Sequence, residues 1–144
     1  MADQLPTQIQ LEIVTPDRHV AHESVNSVTI PGKNGYLGIL PGHAPLLSEL
    51  RTGEVSYTRG GTVHYLAVSW GFAEVLPGRV IILVQTAERA EEIDVERAER
   101  ALDRAEERLK QVTDPQVDAE SARADYERAL ARLQAARRAG GQGS

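Results

Sequence analysis

The sequence predicts a chain in two parts: an N-terminal antiparallel β-sandwich followed by a C-terminal antiparallel two-helix hairpin. Residues 1–87 carry 5 basic and 7 acidic side chains, whereas residues 88–138 carry 11 and 14. Nine of the 12 glycines lie at or before Gly78, so turns concentrate in the first part. Apolar residues repeat with the period of strands there and with the period of helices afterwards. We expect a β-domain at 1–87, a helical hairpin at 88–139 and a flexible tail at 140–144.

Short strands account for the first part of the chain. Residues 8–13 alternate apolar and polar side chains, which is the period of a half-buried strand. Similar segments follow, separated by Pro-Gly and Gly-Gly turns. Because no helical pattern lies between them, the sequence favours an antiparallel sandwich or barrel. The predicted strands are 8–13, 25–30, 36–40, 54–58, 62–69, 72–76 and 80–85.

Two apolar seams at helical spacing account for the second part. Their members recur every three or four residues, as on one face of a helix. Pro115 separates the seams, Asp94 and Asp118 are predicted N-caps, and Gly140 is a predicted stop. Alanine dominates both seams, so closing the hairpin buries little area, and a mobile hairpin and a permanently packed one both fit. The seams are Ala98, Leu102, Ala105, Leu109 and Val112, and Ala119, Ala122, Tyr126, Ala129, Leu133 and Ala136.

Composition excludes several classes of function. The net charge of −5 argues against binding to nucleic acid, which needs a positive face. Cysteine is absent, which excludes disulfides, thiolate metal sites and a cysteine nucleophile. Residues 67–71 resemble a nucleophile elbow around Ser69, but all four histidines precede that serine. We therefore expect no catalytic residues and no metal site.

Arginines on the two helices leave two interpretations open. Arg97 and Arg104 are seven residues apart and share a face of the first helix, and Arg128 and Arg132 share a face of the second. If the two faces converge, four guanidinium groups could clamp a polyphosphate. Alternatively, the arginines form ordinary ion pairs with acidic neighbours, such as Asp94 with Arg97.

One segment resembles a known family. Residues 28–47, VTIPGKNGYLGILPGHAPLL, strongly resemble the epsilon subunit of F-type ATP synthases. Residues 86–94, ahead of the first helix, look like the interdomain stretch of that family. The resemblance covers nearly the whole chain, with the same order of β-domain and hairpin. The loop around Pro115 and the tail after Ala139 carry no family signal.

The resemblance implies a non-catalytic rotor subunit that couples proton flow to ATP synthesis. It implies that the β-domain docks on the gamma subunit and the ring of c subunits, and that the hairpin can extend toward the alpha and beta subunits and inhibit ATP hydrolysis. A peripheral location on the cytoplasmic side of a bacterial plasma membrane follows, with a thylakoid membrane as the other setting. The alternative is a stand-alone scaffold that binds some other protein. The expected docking residues are Gly38, Leu40, His43, Ala44, Pro45 and Leu46.

The resemblance also implies a regulatory ligand. Some family members bind ATP in the compact hairpin through an Ile/Leu-Asp-x-x-Arg-Ala motif, which residues 93–98 match in full. The Arg-Ala-x-x-Arg-Leu motif of their second helix matches residues 128–133. No cofactor is required, and ATP is the expected regulatory ligand. The implied ATP-binding residues are Glu88, Asp94, Arg97, Ala98, Arg104, Arg128 and Arg132.

Overall fold

Ten strands and two helices make up the described part of the chain, in the two-part order that the sequence predicts. The computed structural model describes residues 6–111 and 113–141. A 3₁₀ turn at Ala90–Glu92 links the two parts. The strands are β1 (Ile9–Val14), β2 (His19–Val25), β3 (Ser27–Gly32), β4 (Gly35–Ile39), β5 (Leu46–Leu50), β6 (Gly53–Arg59), β7 (Thr62–Val68), β8 (Gly71–Leu76), β9 (Arg79–Val84) and β10 (Ala87–Arg89), and the helices are α1 (Val95–Lys110) and α2 (Ala119–Gly141).

All ten strands belong to one continuous sheet that folds over a single core. The strand order is β10-β7-β6-β3-β5-β8-β9-β1-β2, and β4 pairs with β3. Inward side chains from all ten strands, among them the fully buried Ile13, Leu50 and Ile82, pack together into this core. The sheet thereby forms both layers of the predicted sandwich.

Strand pairing departs from the expected pattern in places. β1 and β9 run parallel, with Leu11 opposite Val80 and Ile13 opposite Ile82, while the other pairs are antiparallel. Three strands, β2, β5 and β10, lie outside the segments predicted from sequence. The predicted domain boundary at 87/88 falls inside β10, which pairs with β7 through Ala87 and Val68.

One side chain joins the two ends of the sheet. β10 and β2 are the first and last strands of the order, and Arg89 on β10 reaches both β2 and the core. Its Nη2 donates to the carbonyl oxygen of Val20 on β2 at 3.1 Å. Its Nη1 donates to the hydroxyl of the buried Tyr57 at 3.0 Å. Arg89 thus closes the sandwich with hydrogen bonds where no strand ladder does.

The segment around Ser69 has a structural role. Its buried hydroxyl accepts hydrogen bonds from the Thr86 backbone N–H at 2.8 Å and from the Thr86 hydroxyl at 2.9 Å. Two residues on, a Cβ at Gly71 would stand 1.9 Å from the carbonyl oxygen of Leu83, so only glycine permits the close β8–β9 approach. This strand-to-strand turn is not the strand-to-helix turn that a nucleophile elbow requires.

The helices form the predicted antiparallel pair. Arg137 Nη2 lies 3.8 Å from Glu99 Oε1 at one end, and Arg108 pairs with Asp125 toward the other. The Asp94 carboxylate accepts from the Arg97 backbone N–H at 3.1 Å, which confirms it as the N-cap of α1. Asp118 is likewise confirmed for α2, since its Oδ1 accepts from the N–H of Glu120 at 3.0 Å.

The predicted end of the second helix is wrong by two residues. α2 continues through Gly140 and Gly141, because glycine lowers helix stability by only about 1 kcal/mol and does not forbid a last turn. Residues 140 and 141 are therefore helical and not part of a flexible tail. Residues 142–144 of that tail, and Val112 of the first seam, lie outside the described residues.

α2 packs between α1 and the sandwich, which is why two of its faces are apolar. One face carries Ala122, Ala129 and Leu133 of the predicted seam, while Ala119 is exposed. The other face, with Ala131 and Ala135, lies against β6 and β7. The resulting interface core is mostly alanine, with Ile93 buried at its edge, and Leu133 is its one fully buried large side chain within the described residues.

We predict that the isolated β-domain is clearly more stable when Arg89 is retained. A chain ending at residue 92 keeps β10, whereas one ending at residue 87 loses Glu88 and Arg89. Hydrogen bonds from a charged donor are worth about 1.5–3 kcal/mol, and each kcal/mol shifts the midpoint of a small domain by about 4–8 °C. Thermal unfolding should therefore show the shorter chain melting clearly lower. Equal midpoints would mean that Arg89 does not close the sandwich.

Candidate functional site

A groove between the two helices collects basic side chains from both. It has a volume of about 350 Å³, with alanines at its base. α1 contributes Arg104 and Arg108, and α2 contributes Arg128 and Arg132. The short alanine side chains allow the helices to approach closely, so that four guanidinium groups meet across a narrow gap. Of the four arginines proposed from sequence, Arg104, Arg128 and Arg132 lie here.

Two carboxylates partly neutralise these arginines. Asp125 receives hydrogen bonds from Arg108 on α1 and from Arg128 on its own helix. Glu88 on β10 receives two bonds from Arg132, at 2.8 Å from Nε and 3.3 Å from Nη2. The second pair ties the wall of the groove to the sandwich and is only a quarter to a third exposed. The arginine side chains of the two helices therefore converge on one groove, and three of the four also form ion pairs.

Arg104 leaves the groove with an unbalanced charge. It is exposed and forms no ion pair within residues 6–111 and 113–141. Four guanidinium groups against two carboxylates leave a net charge of +2. The arrangement is suited to an anion with several oxygens, since each guanidinium presents donors in a planar fork.

The remaining residues proposed for ATP lie around the groove but do not line it. Asp94 caps α1, and Arg97 is exposed one turn further on, beyond the end of the groove. Ala98 is fully buried in the interface core. Glu88 lines a smaller neighbouring cavity of about 60 Å³, together with Thr86, Arg128 and others.

Sequence reasoning missed two groove residues, Arg108 and Asp125. A signal for the first was present, because Arg108 follows Arg104 by four residues and so shares its helix face. Asp125 precedes Arg128 by three residues, which predicts an ordinary intrahelical ion pair. Nothing in the sequence indicates that its other oxygen reaches across to the partner helix.

The proposed docking residues cluster on an exposed loop at one end of the sandwich. Gly38 is on β4, and Leu40 to Pro45 connect β4 to β5, where Leu46 begins. The loop is fixed to the β8–β9 turn, since the Gly42 N–H donates to the carbonyl of Pro77 at 2.7 Å. His43 Nδ1 lies 2.7 Å from the carbonyl oxygen of Ala44. Leu40 is 66 % exposed, which is a high exposed fraction for a large apolar side chain.

Next to this loop lies an outer apolar surface, formed by Leu47, Trp70, Phe72 and Leu83. Their exposed fractions are 71, 46, 41 and 53 %. Phe72 lies opposite Leu83 in the β8–β9 ladder, and its ring is 5.3 Å from that of Trp70. The indole N–H of Trp70 donates to Glu49, which lowers the pKa of that carboxyl. A group of exposed large apolar side chains of this kind indicates a protein contact.

A buried carboxylate lies under the end of α2. Glu54 on β6 is 4 % exposed, and its Oε2 accepts no hydrogen bond within the described residues. Arg138 on α2 lies 3.4 Å away, but it is itself largely exposed. Burial raises the pKa of Glu54 more than the Arg138 charge lowers it. The docked hairpin therefore covers a carboxylate that would be better hydrated without it.

Other kinds of site were also considered. Residues 6–111 and 113–141 contain no group of three or more His, Asp or Glu side chains placed to hold a metal ion. Within the same residues, no helix combines the length and the apolar character needed to cross a membrane.

Comparison with known families accounts for both parts of the chain. Residues 8–90 match the family model described as ATP synthase, Delta/Epsilon chain, beta-sandwich domain. Residues 91–137 match the one described as ATP synthase, Delta/Epsilon chain, long alpha-helix domain. The two matches meet at the 3₁₀ turn between β10 and α1.

Individual relatives agree with this assignment. The ATP synthase epsilon chain of Koribacter versatilis is 62 % identical over 100 residues, 69 % of this chain and 70 % of the relative. The ATP synthase epsilon chain 2 of Syntrophotalea carbinolica is 46 % identical over 133 residues, 92 % and 96 % of the two chains. A chain in the cryo-EM structure of the Euglena gracilis mitochondrial ATP synthase OSCP/F1/c-ring superposes with a TM-score of 0.81, 30 % identity and coverage of 94 % and 85 %.

Docking of the hairpin should depend on pH through Glu54. Its pKa is raised above 4.5 when α2 covers it, so the docked state binds the proton more tightly. The contribution of Glu54 to docking is then fully present below pH 4.5 and is lost as the pH rises through the raised pKa. Glu54→Gln should tighten docking at neutral pH and remove this dependence.

Because the chain has no cysteine, two introduced cysteines can carry a dye pair that reports docking. With one cysteine at Asn34 in the β3–β4 turn and one at Gln116 between the helices, energy transfer would report the distance between the sandwich and the tip of the hairpin. Glu74→Gln, which neutralises an exposed carboxylate on β8, is the matched control and should behave as the parent chain. A Glu54→Gln variant with unchanged pH dependence would contradict the role of this residue.

Proposed function

The chain belongs to the ATP synthase delta/epsilon chain family, and from this premise we propose that it works as a non-catalytic, ATP-sensing rotor subunit of that enzyme. In this proposal the β-domain docks on the gamma subunit and the c ring and couples proton flow to ATP synthesis. The hairpin restrains ATP hydrolysis when it extends toward the alpha and beta subunits. The bacterial relatives support a peripheral position on the cytoplasmic side of a plasma membrane.

The exposed apolar residues of the sandwich support docking. The loop carrying Leu40 continues into the outer apolar surface, so both could be covered by one partner. Leaving several large apolar side chains in water is unfavourable by about 25 cal/mol per Å². Burial against another subunit removes that cost, and the groove lies on a different element and stays accessible.

The weak hairpin interface supports mobility. α1 packs mainly on α2, and the cluster between α2 and the sandwich is mostly alanine, with Leu133, Ile93 and the partly buried Tyr65 as its larger members. Little apolar area is therefore lost when the hairpin leaves, and a buried carboxylate, Glu54, regains water. The free-energy difference between docked and extended hairpins is small enough for a ligand to control.

The convergence of Arg104, Arg108, Arg128 and Arg132 carries the proposal of ATP binding. The net charge of the groove is +2, opposite in sign and equal in size to that of a magnesium–ATP complex. Its volume of about 350 Å³ lies within the usual range for small-molecule sites, about 300–1,000 Å³. Both helices contribute donors, so a bound triphosphate would link them.

ATP would thereby act as a concentration-dependent clamp. A ligand that binds the docked hairpin and not the extended one stabilises the former by about RT ln(1 + [ATP]/Kd). Plentiful ATP then keeps the hairpin compact and hydrolysis permitted. Scarce ATP releases the hairpin. The extended hairpin then restrains hydrolysis, which spares the ATP that remains.

ATP binding is tested by calorimetry of the intact chain with magnesium and ATP. Arg128→Ala removes a charged hydrogen-bond donor, so affinity should fall by about 1.5–3 kcal/mol. Arg123→Ala is the matched control, because Arg123 is exposed on α2 and does not line the groove. A flat trace for the unmodified chain at millimolar ATP would refute ATP sensing.

Docking is tested by adding the chain to ATP synthase depleted of it. Phe72→Asp places a charge in the centre of the outer apolar surface, and co-purification with the complex should be lost. The isolated variant should keep its thermal midpoint, since Phe72 is outside the core. Val95→Asp, at an exposed apolar residue of α1, should bind normally. Normal binding of the Phe72 variant would exclude this surface.

A further inference from the structure

We propose that Asp125 is an internal counter-anion of the groove, which holds the empty hairpin closed and must be displaced from its arginines when a nucleoside triphosphate binds. The inference rests on the proposed ATP function and assigns a residue that sets affinity at the same site. Asp125 is the one carboxylate among the described residues that line the groove.

The two oxygens of Asp125 are used by two different helices. Oδ2 accepts from Nη1 of Arg108 on α1 at 2.5 Å. Oδ1 accepts from Nη2 of Arg128 on α2. The other terminal nitrogen of Arg108 donates to the hydroxyl of Ser121 at 3.4 Å, so that this guanidinium is held toward α2. The carboxylate thus bridges the hairpin in the way proposed for a phosphate group.

Carboxylate and phosphate compete for the same donors. Guanidinium groups bind either anion through parallel N–H groups, and a donor directed at Asp125 is lost to a ligand. A triphosphate entering the groove would also meet the negative charge of Asp125 at close range, where charge repulsion is poorly screened. Asp125 therefore lowers affinity twice, by occupying the arginines and by repelling the ligand.

Glu88 differs in this respect. It pairs with Arg132 from β10 and lines the neighbouring cavity, so it fastens α2 to the sandwich and does not stand between the two helices. Displacing Glu88 would loosen docking, whereas displacing Asp125 exchanges one bridge between the helices for another. Because of this exchange, the closed hairpin depends less on ATP than it would if the groove held four unpaired arginines.

The test compares Asp125→Asn with the unmodified chain in calorimetric titrations with magnesium and ATP. Asparagine has nearly the same shape without the charge, and binding should tighten about tenfold, the usual scale of one adjacent charge. The lost ion pairs are about 40 % exposed and therefore contribute less than the repulsion that is removed, so the gain in affinity exceeds the loss. Glu127→Gln removes an equal charge from an exposed position outside the groove that has no ion pair with any described residue, and it should change affinity less than about twofold.

A second measurement follows the hairpin without nucleotide. Hydrogen exchange in α1 and α2 should be faster in the Asp125→Asn variant, while the strands keep their protection. Unchanged or weaker ATP binding by this variant overturns the inference while leaving ATP sensing intact. If neither chain binds ATP, the proposed function fails, and unchanged exchange in the helices would then show that Asp125 does not bridge them either.

Discussion

Two adjacent residues of the short strand β10 determine how the two halves of the molecule are joined. Side chains alternate along a strand, so Arg89 points into the open end of the sandwich and Glu88 points toward α2. Arg89 fastens the first strand of the sheet to the last, and Glu88 holds Arg132. Closure of the sandwich and docking of the hairpin therefore depend on the same three residues of backbone. A rigid domain can hold a mobile one in this way without a large interface between them.

The interface itself explains why charge decides the position of the hairpin. Its core is mostly alanine, with Leu133 fully buried and Ile93 nearly so. Alanine contributes little to burial but lets the helices approach closely, which brings the arginines of both helices within reach of one ligand. With the apolar contribution small, ion pairs and the buried Glu54 become comparable to it in size. A change of one charge can then shift the equilibrium, which would not happen across a leucine-rich interface.

Much of the fold was readable from the sequence, and the missing parts have physical causes. The heptad-like spacing and the caps Asp94 and Asp118 predicted the hairpin, since helix signals are local. β2 and β5 were missed because their apolar and polar residues do not alternate in step with burial: β2 is mostly polar at the end of the sheet, and the adjacent Leu46 and Leu47 of β5 both face solvent. The parallel pairing of β1 with β9 joins distant segments, and neither strand alone specifies its partner. Of the groove, the repeated arginines were visible, but Asp125 was not, because its second contact depends on the register of the helices.

The groove shows a general constraint on sites for polyanions. Four guanidinium groups within one narrow cavity repel one another, so a hairpin that brought them together with no anion present would tend to open. Intramolecular carboxylates remove that repulsion, but each one also reduces the attraction for a ligand. Two carboxylates, Asp125 and Glu88, offset two of the four positive charges, which leaves a net charge of +2. Among the described residues, Arg104 is the groove arginine that has no ion pair. The number of internal carboxylates thus sets a compromise between a hairpin that closes without ligand and one that responds to it, and small changes of sequence on exposed helix faces are enough to move a chain along that range.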